Sequence, residues 1–238
     1  LEAVFAIPFI NPVKTYQTYE LKSNIDAKLK IRKRKNTLKL YGHANIENTT
    51  LKIAQLQLPE SYFKLKSKGT KSEVDLNLYI TDRENLQLNG IVDYGKKHYT
   101  DLKLNSTQIH LDNLLNITKA YLDSIQINND LKNMTANGYI FTNANIKTNK
   151  SNITDSKGMI LVRKGEISNP NKGILFGDIN TNIFFDEEAF NIKDTHILIN
   201  NKPLYISGQI TNDSIANVNI NGERIPLTGL YSAFVPKN

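Results

Sequence analysis

From Tyr19 almost to its end, the chain places apolar residues at every second position, and only a β-strand sends alternate side chains to opposite faces. Tyr19, Leu21, Ile25, Ala27, Leu29 and Ile31 share one parity. Lys35-Asn36 turns the chain, and Leu38, Leu40, Gly42, Ala44 and Ile46 return from it. Leu51 and Ile53 then begin a third strand. Leu56 and Leu58 resume it one position out of phase, so a bulge is expected at Ala54-Gln55, and Pro59 ends the strand.

The same reading continues through LNLYITDRENLQLNGIVDYGKKHYTDLKLNS, Leu76–Ser106. Three runs with one apolar face each (Leu76, Leu78, Ile80; Leu86, Leu88, Val92; Leu102, Leu104) are separated by DREN and DYGKKHYTD, segments of turn formers and charges. Met134 to Ile146 forms a long strand with small residues on one side, and Met159 to Val162 is a short apolar run between glycines. Ile179, Thr181, Ile183 and Phe185 lead into the turn DEEA, from which Phe190 and Ile192 emerge. Ile197 and Ile199, Leu204 to Ile210, and Val218 with Ile220 complete what reads as a meander.

One segment departs from the period of two. In LDNLLNITKAYLDSI, Leu114, Leu115, Tyr121, Leu122 and Ile125 fall at helical spacing, with Asp112 or Asn113 placed to cap. The pattern predicts a short amphipathic helix over about 112–125, packed as a plug on the end or rim of the sheet. The strands also repeat loosely, near 29–58, 76–115 and 190–230. LQLNGIV followed by TDLKLNSTQIHLDNLL matches in kind LYISGQI followed by ANVNINGERIPLTGL, each with a mid-strand Gly and an I-x-L ending. Repeated strand units that cannot bury an apolar face alone imply stacking into an extended array.

The bulk properties agree with strands wet on one face. Among 238 residues, 39% are hydrophobic, and no apolar run approaches the roughly 20 residues of a spanning helix. The first residues, LEAVFAIPFI, are apolar but lack the charged start of a signal peptide. The chain opens on Leu, and 1–238 is read as one continuous segment of a longer protein. Without cysteine there are no disulfides, thiolate metal sites or Cys nucleophiles. Asn-x-Ser/Thr triplets recur at Asn48, Asn105, Asn116, Asn133, Asn149, Asn152 and Asn212, which together with abundant Lys and Ile reads as coding bias rather than a glycosylation programme. The net charge is +7, and its densest cluster, IRKRKN at Ile31–Asn36, sits where a hairpin turns. A solvated turn that blunts strand pairing is preferred there over a contact for anionic headgroups or nucleic acid, because no aromatic platform is interleaved.

Catalytic patterns are thin. His43, His98, His110 and His196 lie in separate strands or loops without a second His at metal spacing. Asp186, Glu187 and Glu188 cluster, but in a hairpin turn and with no partner acid. Phosphate loops, nucleophile elbows and H-E-x-x-H are absent. The chain is therefore expected not to be an enzyme and to hold no metal or cofactor.

The apolar faces remain as the informative feature. Two sheets could cover each other in a sandwich or solenoid module that binds protein or glycan through its loops. Alternatively, a single curved sheet would leave its inner face for an apolar ligand, with mid-strand small residues such as Gly42, Ala44, Gly90, Ala136, Gly138, Ala144 and Gly208 easing the bend. The second reading gives a mainly β fold, a long curved antiparallel sheet of repeated strand units forming a U-shaped apolar groove with one short helix. Its expected lining is Leu76, Leu78, Ile80, Leu86, Leu88, Val92, Ile140, Ile146, Ile183, Phe185, Leu204, Ile206 and Ile210.

LQLNGIVDYGKKHYTDLKLNSTQIHLDNLL, NDLKNMTANGYIFTNANIKT, GMILVRKGEI and NIFFDEEAFNIKDTHILINNKPLYISGQI resemble segments of the AsmA-like and TamB-like family of bacterial envelope proteins. There, a strand, a turn, a strand with a central Gly, a short D-L-x-L strand and an I-x-L-x-x-L run recur along the chain. The resemblance covers about Leu29 to Leu230 and rests on patterns of residue class. It implies a β-sheet rolled into a groove with an apolar floor, anchored in the inner membrane by parts of the chain outside this segment and crossing the periplasm. It also implies a phospholipid or other acyl-chain lipid as partner, no nucleic acid, and a role in carrying lipid between membranes or assisting outer-membrane assembly.

Overall fold

The structure, a computed structural model, describes residues 19–34, 37–53, 55–95, 98–124, 130–149, 152–169, 171, 174–211 and 215–224. Alternating β-branched, aromatic and Leu positions give β1 (Tyr19–Arg34), β2 (Thr37–Ile53), β3 (Leu56–Gln57), β4 (Ser61–Gly69), β5 (Lys71–Tyr79), β6 (Asn85–Asp93), β7 (Tyr99–Ser106) and β8 (Ile109–His110). The helix α1 (Leu111–Ser124) and a 3-10 turn at Asp130–Asn133 follow. Then come β9 (Thr135–Asn149), β10 (Asn152–Ile153), β11 (Lys157–Asn169), β12 (Ile174–Phe185), β13 (Ala189–Ile199), β14 (Lys202–Thr211) and β15 (Ala216–Gly222).

All fifteen strands belong to one sheet, in the order β1-β2-β4-β5-β6-β7-β9-β11-β12-β13-β14-β15, with β3 on β2 and both β8 and β10 on β9. Every pairing is antiparallel, so this is the open, curved sheet with one short helix expected from the sequence. No second sheet covers either face among the described residues, which separates the fold from a sandwich.

Three local readings need correction. Leu51 and Ile53 do not begin a new strand. They continue β2, and the chain then folds back so that Leu56 faces Ile53 and Gln57 faces Lys52 in the separate strand β3. The phase change between Ile53 and Leu56 therefore accompanies a reversal rather than a bulge within one strand; Ala54 itself lies outside the described residues. The strand β4 also went unread, although Phe63 and Leu65 alternate with Lys64 and Lys66 in it. The helix starts at Leu111, which puts Asp112 and Asn113 inside its first turn rather than at its cap; Ile125 lies outside the described residues.

Directly paired residues project to the same face, so one row can be followed across the whole sheet. It runs Ile25–Ile46–Phe63–Leu76–Leu88–Leu104–Ala144–Gly158–Phe185–Phe190–Ile210–Ala216, one residue per strand from β1 to β15. The parallel row one step towards β1's tip includes Ala27, Ala44, Leu65, Val74, Gly90, Leu102 and Ile146. On the opposite face stand Lys28, Lys66, Glu73, Lys103, Asn145, Asn191 and Asn217. The period-2 pattern has thus kept register over twelve strands, since a one-residue slip would exchange the faces.

Exposure distinguishes the two faces. From β4 to β12 the apolar rows are half-buried, while Lys64, Lys66, Gln87, Lys103 and Asn143 on the other face are exposed, although Asn77 there is buried at 4%. The apolar face is the more sheltered along most of the sheet and is called the inner face below. At the two edges, where one neighbouring strand is missing among the described residues, Ile31 is 67% exposed and Ile220 is also 67% exposed. Buried apolar side chains are confined to small residues and strand ends, among them Ala144, Ile53, Ile109 and Ile199, and no large side chain is fully enclosed among the described residues. Among the described residues a half-sheltered floor stands where a closed core would be.

The helix closes one rim. α1 packs on β9 and β8 and also reaches β2 and β3, which lie five sheet positions away. Fourteen residues of helix extend about 21 Å at 1.5 Å per residue, and five strand spacings of about 4.8 Å come to about 24 Å. The helix therefore runs along the strand ends, across the sheet, as a rim.

Candidate functional site

The apolar floor is built from strands of 7 to 17 residues, alternate residues of which face inward. Of the expected lining, Leu76, Leu78, Leu86, Leu88 and Val92 stand on it in β5 and β6, with Leu76 opposite Leu88 and Leu78 opposite Leu86. Ile146 joins through its pairing with Leu102, and Ile140 sits between Ile109 and Val162. Ile183 and Phe185 face Ile192 and Phe190, and Leu204, Ile206 and Ile210 follow on β14. Ile80 is the exception in placement. It lies past the end of β5, in the turn, where its N–H donates to the Glu84 carbonyl at 2.7 Å.

Several floor residues were not singled out from the sequence. Phe63 and Leu65 belong to β4, and Ile160, Val162, Phe190 and Ile192 carry the rows onward through β11 and β13. Their signal was the shared parity with neighbours, which becomes a face only when the pairing partner is known. The two phenylalanines Phe185 and Phe190 have ring centroids 5.5 Å apart at 31°. Phe185 also leans over Gly158 on β11, where a Cβ would meet its Cζ at 2.4 Å. An aromatic ring thereby covers the gap left by the glycine.

At the α1 rim, Glu84 in the β5–β6 turn is 5% exposed and joins three elements. One of its carboxylate oxygens is hydrogen-bonded to His110 Nδ1, and the other accepts from Asn113 Nδ2 at 2.9 Å. The His110 ring meets Tyr139 edge-on, with centroids 5.5 Å apart. A hollow of about 290 Å³ lies between this turn and the helix, bounded by Leu58, Pro59, Ile80 and Ile117. The cluster ties the helix to the sheet.

The other face is polar and basic near β1, β2, β4 and β5, and it carries a hollow of about 650 Å³ beside Tyr41, His43, Lys64, Lys66, Lys68 and Glu73. Lys64 pairs with Glu47 at 2.9 Å, and that bond and charge raise the Lys64 ammonium above its usual value. His43 and Asp26 are 3.2 Å apart, while His196 lies 3.1 Å from Asp178 and beside the Tyr205 ring. These pairs are scattered over separate strands, and among the described residues no three His, Asp or Glu side chains come together as a metal site. The acidic run Asp186–Glu188 forms the expected turn: Asp186 Oδ1 accepts from the N–H groups of Glu188 and Ala189. Among the described residues no helix is long and apolar enough to cross a membrane.

The arrangement offers a long apolar face with polar groups at its rims and no cluster of catalytic side chains among the described residues. Comparison with protein-family models, with curated proteins and with solved structures finds no match to this chain.

Proposed function

We propose that the chain is a lipid-binding groove segment of the AsmA-like and TamB-like kind. It guides phospholipid acyl chains between membranes of the bacterial envelope, or serves outer-membrane assembly by the same means, without catalysis. The observation that carries this reading is the unbroken apolar row from Ile25 to Ala216 on the inner face of a sheet that no second layer covers among the described residues. A bare apolar surface of that extent is an aggregation hazard in water and calls for an occupant. Twelve strands at about 4.8 Å spacing give an arc on the order of 50 Å, whereas one leaflet's acyl chain spans about 15 Å, half the hydrocarbon core. The floor is long enough for chains to lie in succession along it. Burial at about 0.8 kcal/mol per methylene gives a two-chain lipid ample affinity without a headgroup pocket, so headgroups remain in water at the rim.

Native mass spectrometry of the purified protein, with extraction and identification of bound lipid, tests the reading alongside Leu78→Asp and Leu88→Asp. Phospholipid that co-purifies with the parent chain and is lost from folded variants is the expected result. A lipid-free parent chain, with both variants unfolded, would mean that the inner face is structural and nothing more.

A further inference from the structure

The β1–β2 hairpin outruns its neighbour. β2 pairs with β4 only as far as Leu40 opposite Gly69, where the Tyr94 hydroxyl accepts from Leu40 N–H at 3.1 Å and donates to the Gly69 carbonyl at 2.9 Å. β1 and β2 continue together through Arg32–Lys39, Lys33–Leu38 and Arg34–Thr37, so the tip stands about 10 Å beyond its support at about 3.4 Å per residue. Two features of this tip are costly in water. On the inner face, Ile31 and Leu38 are 67% and 50% exposed. On the outer face, cations are set directly against cations, Arg32 opposite Lys39 and, at the adjoining β4–β5 turn, Lys68 opposite Lys71. Like charges in direct cross-strand pairs destabilise a sheet. No carboxylate forms an ion pair with any of these four among the described residues; Asp93, across from Lys71, is instead held by the Gly95 N–H at 2.8 Å.

From this geometry we propose that the hairpin tip and the β4–β5 turn form a docking surface for an anionic phospholipid bilayer. The lipid phosphates would neutralise Arg32, Lys39, Lys68 and Lys71, while Ile31 and Leu38 pass below the headgroups. Both costs are relieved by this one partner, because a bilayer surface presents negative charge and hydrocarbon within a few ångströms of each other. Nucleic acid would answer only the charge: Arg32 already lies over the Tyr41 ring at 5.5 Å, and Tyr94 is tied by its hydroxyl between Leu40 and Gly69, so neither ring offers a free stacking platform. This docking is proposed in place of the merely solvated turn preferred from the sequence. Ile31 pairs with Leu40 at the start of the apolar floor, so a docked tip joins the bilayer interior to the groove. That last consequence rests on the groove reading; the docking does not.

Co-sedimentation of the whole chain with vesicles of phosphatidylcholine plus phosphatidylglycerol, against phosphatidylcholine alone, tests it. The parent chain is expected to bind the anionic vesicles selectively and to be released by salt. Arg32→Gln with Lys39→Gln should weaken binding about thirtyfold, at about one kcal/mol per cation. Ile31→Asn with Leu38→Asn should weaken binding too, and Lys202→Gln at the far edge should leave it unchanged. The salt titration of the parent chain gives an independent readout if a tip variant misfolds. Equal binding to both vesicle types, no binding, indifference to the tip changes, or a preference for duplex DNA would each overturn the proposal. Lipid content measured in the same preparations keeps the two ideas apart: loaded protein that ignores vesicles sinks the docking alone, and docked protein that never loads sinks the groove alone.

Discussion

A Cβ added to Gly90 would lie 2.0 Å from the carbonyl oxygen of Asp101 on the next strand. At φ +147 the residue is also in a backbone region that side chains rarely adopt. Strand β7 can approach β6 this closely only because Gly90 has no side chain. Gly90→Ala should therefore cost about 3 kcal/mol, combining the close approach with backbone strain. Gly69, at φ +77, has open space around its Cβ position, and its alanine variant should cost only about 1 kcal/mol. Urea denaturation of the two variants makes the comparison; equal losses would mean that strain alone matters and the strand approach does not.

Leu88 sits mid-floor between Leu76 and Leu104 and is half-buried. Truncation in a closed core costs about 2–5 kcal/mol, but here one side of the side chain faces the groove. Leu88→Ala is expected to cost about 1–2 kcal/mol in delipidated protein. Denaturation curves with and without added phospholipid should show a larger loss in the loaded state, because the alanine also forfeits contact with the chain.

Glu84 gives the helix its attachment. Glu84→Ala leaves His110 and Asn113 without their carboxylate partner, a loss of about 2–3 kcal/mol for bonds to a buried charged group. The change should be local. Amide hydrogen exchange ought to accelerate in Leu111–Ser124 and leave β6 and β7 protected, whereas a uniform loss would contradict the view of α1 as a rim fastened mainly at this point.

Acid should loosen the basic rim. The Asp93 carboxyl is held below its ordinary value, first by the Gly95 N–H and then by the Thr70 side chain. A depressed folded value means that this group's contribution to stability is fully present above the ordinary value of 3.8 and disappears as pH falls through the lower folded value. The parent chain should lose stability across that acidic window, and Asp93→Asn should flatten that part of the curve. Thermal melts at a series of acidic pH values measure it.

How far the sequence could be read depended on how each feature is encoded. Strand existence and facing were legible because Leu76, Leu78, Leu86 and Leu88 carry their own parity, and parity is a local property. β4 was missed because only Phe63 and Leu65 mark its apolar face, with Ser67 continuing that face and the apolar Tyr62 standing on the other, and β3 was misread because a two-residue return leaves no periodic trace. The protrusion of the hairpin tip was invisible, since Leu40 ending opposite Gly69 is a fact of register between separate strands. For the same reason Lys68 facing Lys71 across a tight turn could have been anticipated, while their place beside Arg32 and Lys39 could not.

The meander has a consequence for how such a chain can change. Along the main path each strand is hydrogen-bonded to its neighbours in the order, while α1, in contact with both β9 and β2, fastens strands that are distant in that order. Beyond the reach of that helix, from β11 to β15, a hairpin could be added or removed without rebuilding any shared interior. The length of the floor is then an adjustable quantity, set by counting hairpins, while the stretch beneath the helix behaves as a block that must be inherited whole.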